Sequence, residues 1–145
     1  MIPEDFFVVL GYLASPDREC KLDVELPSTK EKSFKDRYAE LSGVTPSVDH
    51  HNFYLWPEGS NKWGVELRIY FKADNMDNIP TAIRSMVVSA RFPNPAHNCR
   101  INRNKFIWEL IKHGFLLGDT QNLERIQERV PQEYMPHFER GLSLT

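Results

Sequence analysis

The stretch HHNFYLWPEGSNKWGVELRIYFKAD, residues 50–74, carries the densest aromatic and β-branched content of the chain. In its second half Trp63, Val65, Leu67, Ile69 and Phe71 alternate with Glu66, Arg68, Tyr70 and Lys72. A period of two is that of a strand with one buried face, and it assigns the charged set to a solvated face. Phe53 and Leu55 alternate with Tyr54 and Trp56 in the same way. Between the two runs Pro57, Glu58, Gly59, Ser60 and Asn61 supply turn chemistry, since proline fixes φ and glycine accepts positive φ. The stretch is predicted to be a central β-hairpin. An isolated hairpin is marginal in water, so other elements must cover its apolar face.

Upstream, Leu22, Val24 and Leu26 alternate with Lys21, Asp23 and Glu25, a strand that Pro27 ends. The continuous apolar run FFVVLGYL, residues 6–13, reads as a buried strand, although Pro3 is also suited to the first position of a helix. Ser28 or Thr29 can cap a helix whose apolar stripe is Phe34, Tyr38 and Leu41, with Ser42 and Gly43 stopping it. Downstream, SMVVSARF at residues 85–92 reads as another strand. Asn102 or Asn104 opens the clearest helix, with Phe106, Ile107, Leu110, Ile111 and Phe115 on one face and Gly114 or Gly118 as its stop. Asp119 or Thr120 caps a shorter helix, and a last helical piece follows Pro131. The order predicts one α+β domain over residues 1–145: an antiparallel sheet or pseudobarrel around the central hairpin, one N-terminal helix and a helical C-terminal third.

At 145 residues the chain can bury a real core without staples. Apolar and charged contents of 41% and 26% are those of an ordinary globular protein. No apolar run approaches the roughly 20 residues that span a bilayer, and no basic segment precedes the first apolar run. Cys20 and Cys99 read as two free thiols, which predicts a cytoplasmic protein without membrane partners. A net charge of −2 requires any nucleic-acid contact to be a local patch.

Catalytic signatures are weak. Asp49, His50 and His51 follow a proline-containing loop, and His97 and Cys99 are spaced too closely for a tetrahedral zinc site, so no metal or other cofactor is expected. The serines lack a strand-turn-helix elbow, the seven glycines are isolated, and Cys20 has no activating neighbour in the sequence. Asp23, Glu25 and Glu66, with Lys21 or Lys72, could mimic a metal-dependent nuclease, but the alternation assigns them to a solvated face. A non-catalytic role is favoured.

The chain has no carboxylate between Asp77 and Glu109, while Arg84, Arg91, Arg100, Arg103 and Lys105 accumulate there. Asn94, His97, Asn98, Asn102 and Asn104 are interleaved with them, giving donors suited to phosphates and bases. If Asn102 caps the following helix, Arg103 and Lys105 stand beside a partly positive helix terminus. The alternative is that these cations pair with Asp119, Glu124, Glu128, Glu133 and Glu139.

The apolar run FFVVLGYL, the arm of residues 15–21, LDVELPS at residues 22–28 and LRIYFKAD at residues 67–74 together resemble the DNA-binding pseudobarrel of plant B-three-type transcription factors and of restriction-endonuclease effector domains. The resemblance covers about half of the chain. It implies DNA binding through two arms, with Arg18 and Lys21 on or beside the first. The arginine- and asparagine-rich second arm has no counterpart after Phe71, and a helical C-terminal third replaces closing strands.

The sequence thus predicts a nucleic-acid-binding module, for DNA rather than RNA. Its candidate contacts are Arg18, Lys21, Arg84, Arg91, Asn98, Arg100, Asn102, Arg103, Asn104 and Lys105. A protein-interaction module of a larger assembly is the second reading and a metal-dependent nuclease the third.

Overall fold

A computed structural model describes residues 1–47, 53–56, 64–92, 97–119 and 121–144. Within them the protein is α+β, with five strands in a single open sheet that does not close into a barrel. The first apolar run is not the expected strand. It lies in helix α1 (Pro3–Ala14), where Pro3 occupies the first turn and Glu4 and Asp5 favour the helix N-terminus. Phe7 and every residue from Val9 to Ala14 are buried, so the run shows no apolar stripe. A helix buried nearly all round gives the same continuous apolar signal as a buried strand.

The partner of α1 is α6 (Met135–Leu142). A Cβ on Gly11 would stand 2.1 Å from the Phe138 carbonyl oxygen, and one on Gly141 would stand 2.0 Å from that of Val8. Each glycine therefore lets the other helix's backbone approach.

Strand β1 (Lys21–Pro27) leads through a single turn of 3-10 helix into α2 (Glu31–Ser42), then to β2 (Phe53–Trp56). β1 and β2 are parallel neighbours, with Val24 opposite Phe53. A parallel pair needs a crossover, and α2 is that crossover. On its other side β1 pairs antiparallel with β3 (Glu66–Phe71), setting Val24 opposite Leu67. The predicted hairpin is thereby corrected: β2 and β3 flank β1 and do not pair with each other. The proposed turn at residues 57–61 lies outside the described residues.

The sheet continues through β5 (Cys99–Ile101) to the edge strand β4 (Val87–Ala90), giving the order β2-β1-β3-β5-β4. All pairs except β1–β2 are antiparallel. A short helix, α3 (Thr81–Arg84), occupies the approach to β4, so that strand starts later than the apolar run suggests. Leu22, Val24, Leu26, Phe53, Leu67, Ile69 and Phe71 line the buried face, as the alternation predicts, whereas Leu55 is exposed; Cys99 and Ile101 join that face from β5, a strand the sequence pattern did not indicate.

Helix α4 (Asn104–Lys112) adds Phe106, Ile107, Leu110 and Ile111 to that core, and the short α5 (Leu123–Glu128) adds Ile126. Gly43, at φ 78°, ends α2. Two arginines of the C-terminal third reach that same end: Arg125 and Arg129 both donate to the Ser42 carbonyl, the latter at 2.9 Å. Cations bonded to the last carbonyls of a helix stabilise it through hydrogen bonding and its dipole. No described helix is long and apolar enough to cross a membrane.

Candidate functional site

The charged face of the sheet is less solvated than its alternation suggests. Asp23 is only 3% exposed. It stands opposite Arg68 across the β1–β3 ladder, with Glu25 opposite Glu66 in the next row. Arg68 Nη1 donates to Glu25, Nη2 reaches Glu66 at 3.1 Å, and Asn102 Nδ2 donates to the other Glu66 oxygen at 2.9 Å. Burial works against the charge of Arg68, yet these carboxylates outweigh it and raise its pKa above the ordinary arginine value. Burial also pushes the Asp23 carboxyl up to about 6, against the opposing pull of Arg68 and Lys21. Among the described residues Asp23 Oδ1 has no hydrogen-bond partner. The expectation of a freely solvated face is corrected, because cross-strand pairing folds these charges onto one another.

The ten candidate contacts separate into three groups. Arg18 is buried in the turn after α1; its guanidinium lies 5.0 Å from the Tyr12 ring and donates to the Lys72 carbonyl at 3.0 Å. Arg84 donates to the carbonyls of Ile79 and Asp77 at 2.8 and 2.9 Å. Asn98 is buried and brackets Ala73, accepting from its N–H at 3.0 Å and donating to its carbonyl at 2.6 Å. Asn104 brackets the start of β3 similarly, accepting from Leu67 N–H at 2.9 Å and donating to the Val65 carbonyl at 2.8 Å. These side chains satisfy backbone groups that would otherwise lack partners.

Lys21 and Arg100 belong to the polar sheet face, on either side of Tyr70, with the Lys21 ammonium 5.9 Å from the Tyr70 ring. Asn102 does not cap α4. Arg103 holds the N-cap position, without a side-chain capping bond, while Asn102 is turned towards Glu66. Arg91, Arg103 and Lys105 are exposed. Arg91 follows the last residue of β4, whereas Arg103 precedes α4 beyond the opposite end of β5, so the two are not neighbours.

Lys105 does have a neighbour that the sequence did not single out. Lys105 and Arg37 line one groove between α2 and α4, of about 780 Å³, together with Phe34, Val65 and Trp108. The Arg37 guanidinium lies 4.2 Å from the Trp108 ring, and Trp108 meets Phe34 at 5.4 Å. The other two cations within α2, Lys32 and Lys35, are paired with Asp36 and Glu31 on the same helix. Among the described residues Arg37 has no such carboxylate; Glu109 is the acidic residue of the groove wall. Arg37 falls on the exposed side of α2, and the signal that could have found it is its position next to the Phe34 and Tyr38 stripe.

The remaining chemistry is sparse. His97 Nε2 donates to the Glu19 carbonyl at 2.8 Å, and no described cluster of three His, Cys, Asp or Glu residues could hold a metal ion. Asp49, His50 and His51 lie outside the described residues. Cys20 and Cys99 are buried free thiols, and burial raises the pKa of both, that of Cys99 to about 11, so neither is an activated nucleophile. Compared with known proteins, the chain matches no family model, no curated protein and no solved structure.

Proposed function

We propose that this protein is a non-catalytic nucleic-acid-binding module that holds the phosphate backbone with Arg37, Arg103 and Lys105. One observation carries this reading. The four ion pairs among the described residues are Lys32–Asp36, Lys35–Glu31 and those of Arg68 with Glu25 and Glu66. None joins the carboxylate-free segment to the acidic C-terminal third, so its exposed cations stay available to an anionic ligand. Phosphates are such a ligand, and neutralising them releases counterions.

Binding of a labelled DNA oligonucleotide should therefore weaken steeply with salt. Arg103→Ala and Lys105→Ala should each reduce the slope of log affinity against log salt by roughly 0.7 to 0.9 per lost phosphate contact. Salt-independent binding, or none, would overturn the reading. A protein-interaction module is the second reading. It is favoured by an apolar groove of about 650 Å³ beside the same cations, lined by Phe6, Phe7, Met86 and Phe106.

A further inference from the structure

We infer that the groove between α2 and α4 binds single-stranded nucleic acid, with one unpaired base stacked on the Arg37 guanidinium. This rests on the nucleic-acid reading above and names the form of the ligand. The rings of Phe53, Phe34 and Trp108 follow one another at centroid separations of 5.4 Å, and Arg37 ends the series 4.2 Å from Trp108. Trp108 is 7% exposed, so its ring supports Arg37 and does not itself meet solvent broadly. Arg37 is exposed, and its planar group is held against an aromatic face with no carboxylate partner among the described residues.

An arginine plane fixed on one side by an indole presents its other side as a stacking platform for a base. A base inside a duplex has both faces covered by its neighbours and cannot use such a platform. Lys105 lines the same groove, and Arg103, two residues earlier, lies beside it. Lys105 supplies positive charge for the backbone beside a stacked base, and Arg103 adds charge where the adjoining groove begins. Glu109 is the opposing charge in the groove, against Arg37 and Lys105.

Arginine and lysine separate the two parts of this arrangement, since lysine keeps the charge but has no plane. The test is fluorescence anisotropy with three labelled probes of equal length: a single DNA strand, the same strand made abasic, and the corresponding duplex. The intact single strand should bind tightest, exceeding the abasic strand by roughly five- to a hundred-fold through stacking. Arg37→Lys should remove that advantage while leaving affinity for the abasic strand unchanged. Lys105→Ala should weaken the intact and abasic strands equally. Equal binding of intact and abasic strands by the wild type, or tighter binding of the duplex, would overturn the single-strand inference and leave the nucleic-acid reading standing. Failure to bind any of the three probes would overturn both.

Discussion

Arg68, on the polar face of the sheet, is held by Glu25 and Glu66 and is 17% exposed at its side chain. Arg37, on α2, has no carboxylate partner among the described residues and rests on the face of Trp108. The first arginine neutralises charges that the strands force together. The second carries its charge to the wall of a groove. A count of cations in the sequence cannot separate these circumstances, because the difference is made by residues paired across the sheet or packed from another helix. Local charge becomes a binding surface only where tertiary pairing leaves it unanswered.

The comparison can be broken most readily at Arg68. Arg68→Ala strands Glu25 and Glu66 on a half-buried face beside Asp23, and should lower unfolding free energy by about 2–3 kcal/mol in denaturant titration. A loss below about 0.5 kcal/mol would show that the face is solvated and that the two arginines differ little.

Asp23 gives the same face a pH signature. Its carboxyl ionises near 6 in the fold and near about 4 when unfolded. Between those values the folded state binds more protons, so this group makes stability fall as pH rises. Asp23→Asn should stabilise the protein at pH 8 by about 2 kcal/mol, with the gain shrinking to nothing as pH falls towards about 4. Urea unfolding of both proteins across that range measures it, and a gain independent of pH would exclude burial of the charge as the cause.

The groove should respond more weakly in stability than in binding. Arg37→Ala removes a contact with Trp108 and should cost about 0.5–1 kcal/mol. Arg103→Ala should change stability by less than about 0.5 kcal/mol. Thermal or denaturant unfolding of these variants sharpens the contrast with Arg68, since the same residue type then spans the full range of effects. Smallest of all is Lys32→Ala, which removes an ion pair between two largely exposed side chains and should leave the unfolding midpoint unmoved.

Much of the fold was legible in the residues. The alternation of Leu67, Ile69 and Phe71 with Glu66, Arg68 and Tyr70 placed β3, and that of Leu22, Val24 and Leu26 placed β1. The stripe of Phe106, Ile107, Leu110 and Ile111 placed α4. Apart from α1, read as a strand, and the three-residue β5, too short for a pattern, what escaped was non-local. Periodicity reports which face of a strand is buried but not which strand lies beside it, so nothing in residues 50–74 announced that β1 separates β2 from β3. The helix between β1 and β2 was the available clue, since parallel neighbours require such a crossover.

The polar residues of the site were hidden for a related reason. Arg18 answers a carbonyl of Lys72, Asn98 both backbone groups of Ala73, and Asn104 those of Val65 and Leu67. Each partner is far away in the chain, so composition counts as surface charge and hydrogen-bonding capacity what the fold uses internally. Arg37 was missed in the opposite sense: alone among acids and lysines on α2, it became distinctive only when Trp108 packed beneath it.

The reciprocal glycine contact between α1 and α6 has a kinetic consequence. Gly11 and Gly141 each meet the opposite helix's backbone although nearly the whole chain separates the two helices, so their docking closes a very large loop. The entropy of that closure is lost before the close contact returns any energy, which places the α1–α6 junction late in folding. Gly141→Ala drives a methyl group into the Val8 carbonyl and should open the junction. In stopped-flow experiments it should accelerate unfolding strongly and slow refolding little, the behaviour of a contact formed after the rate-limiting barrier. Equal changes in both rates would place the junction within the folding nucleus. A late junction makes the pairing of the first helix with the last a latch on kinetic stability, set by two positions that have no side chain at all.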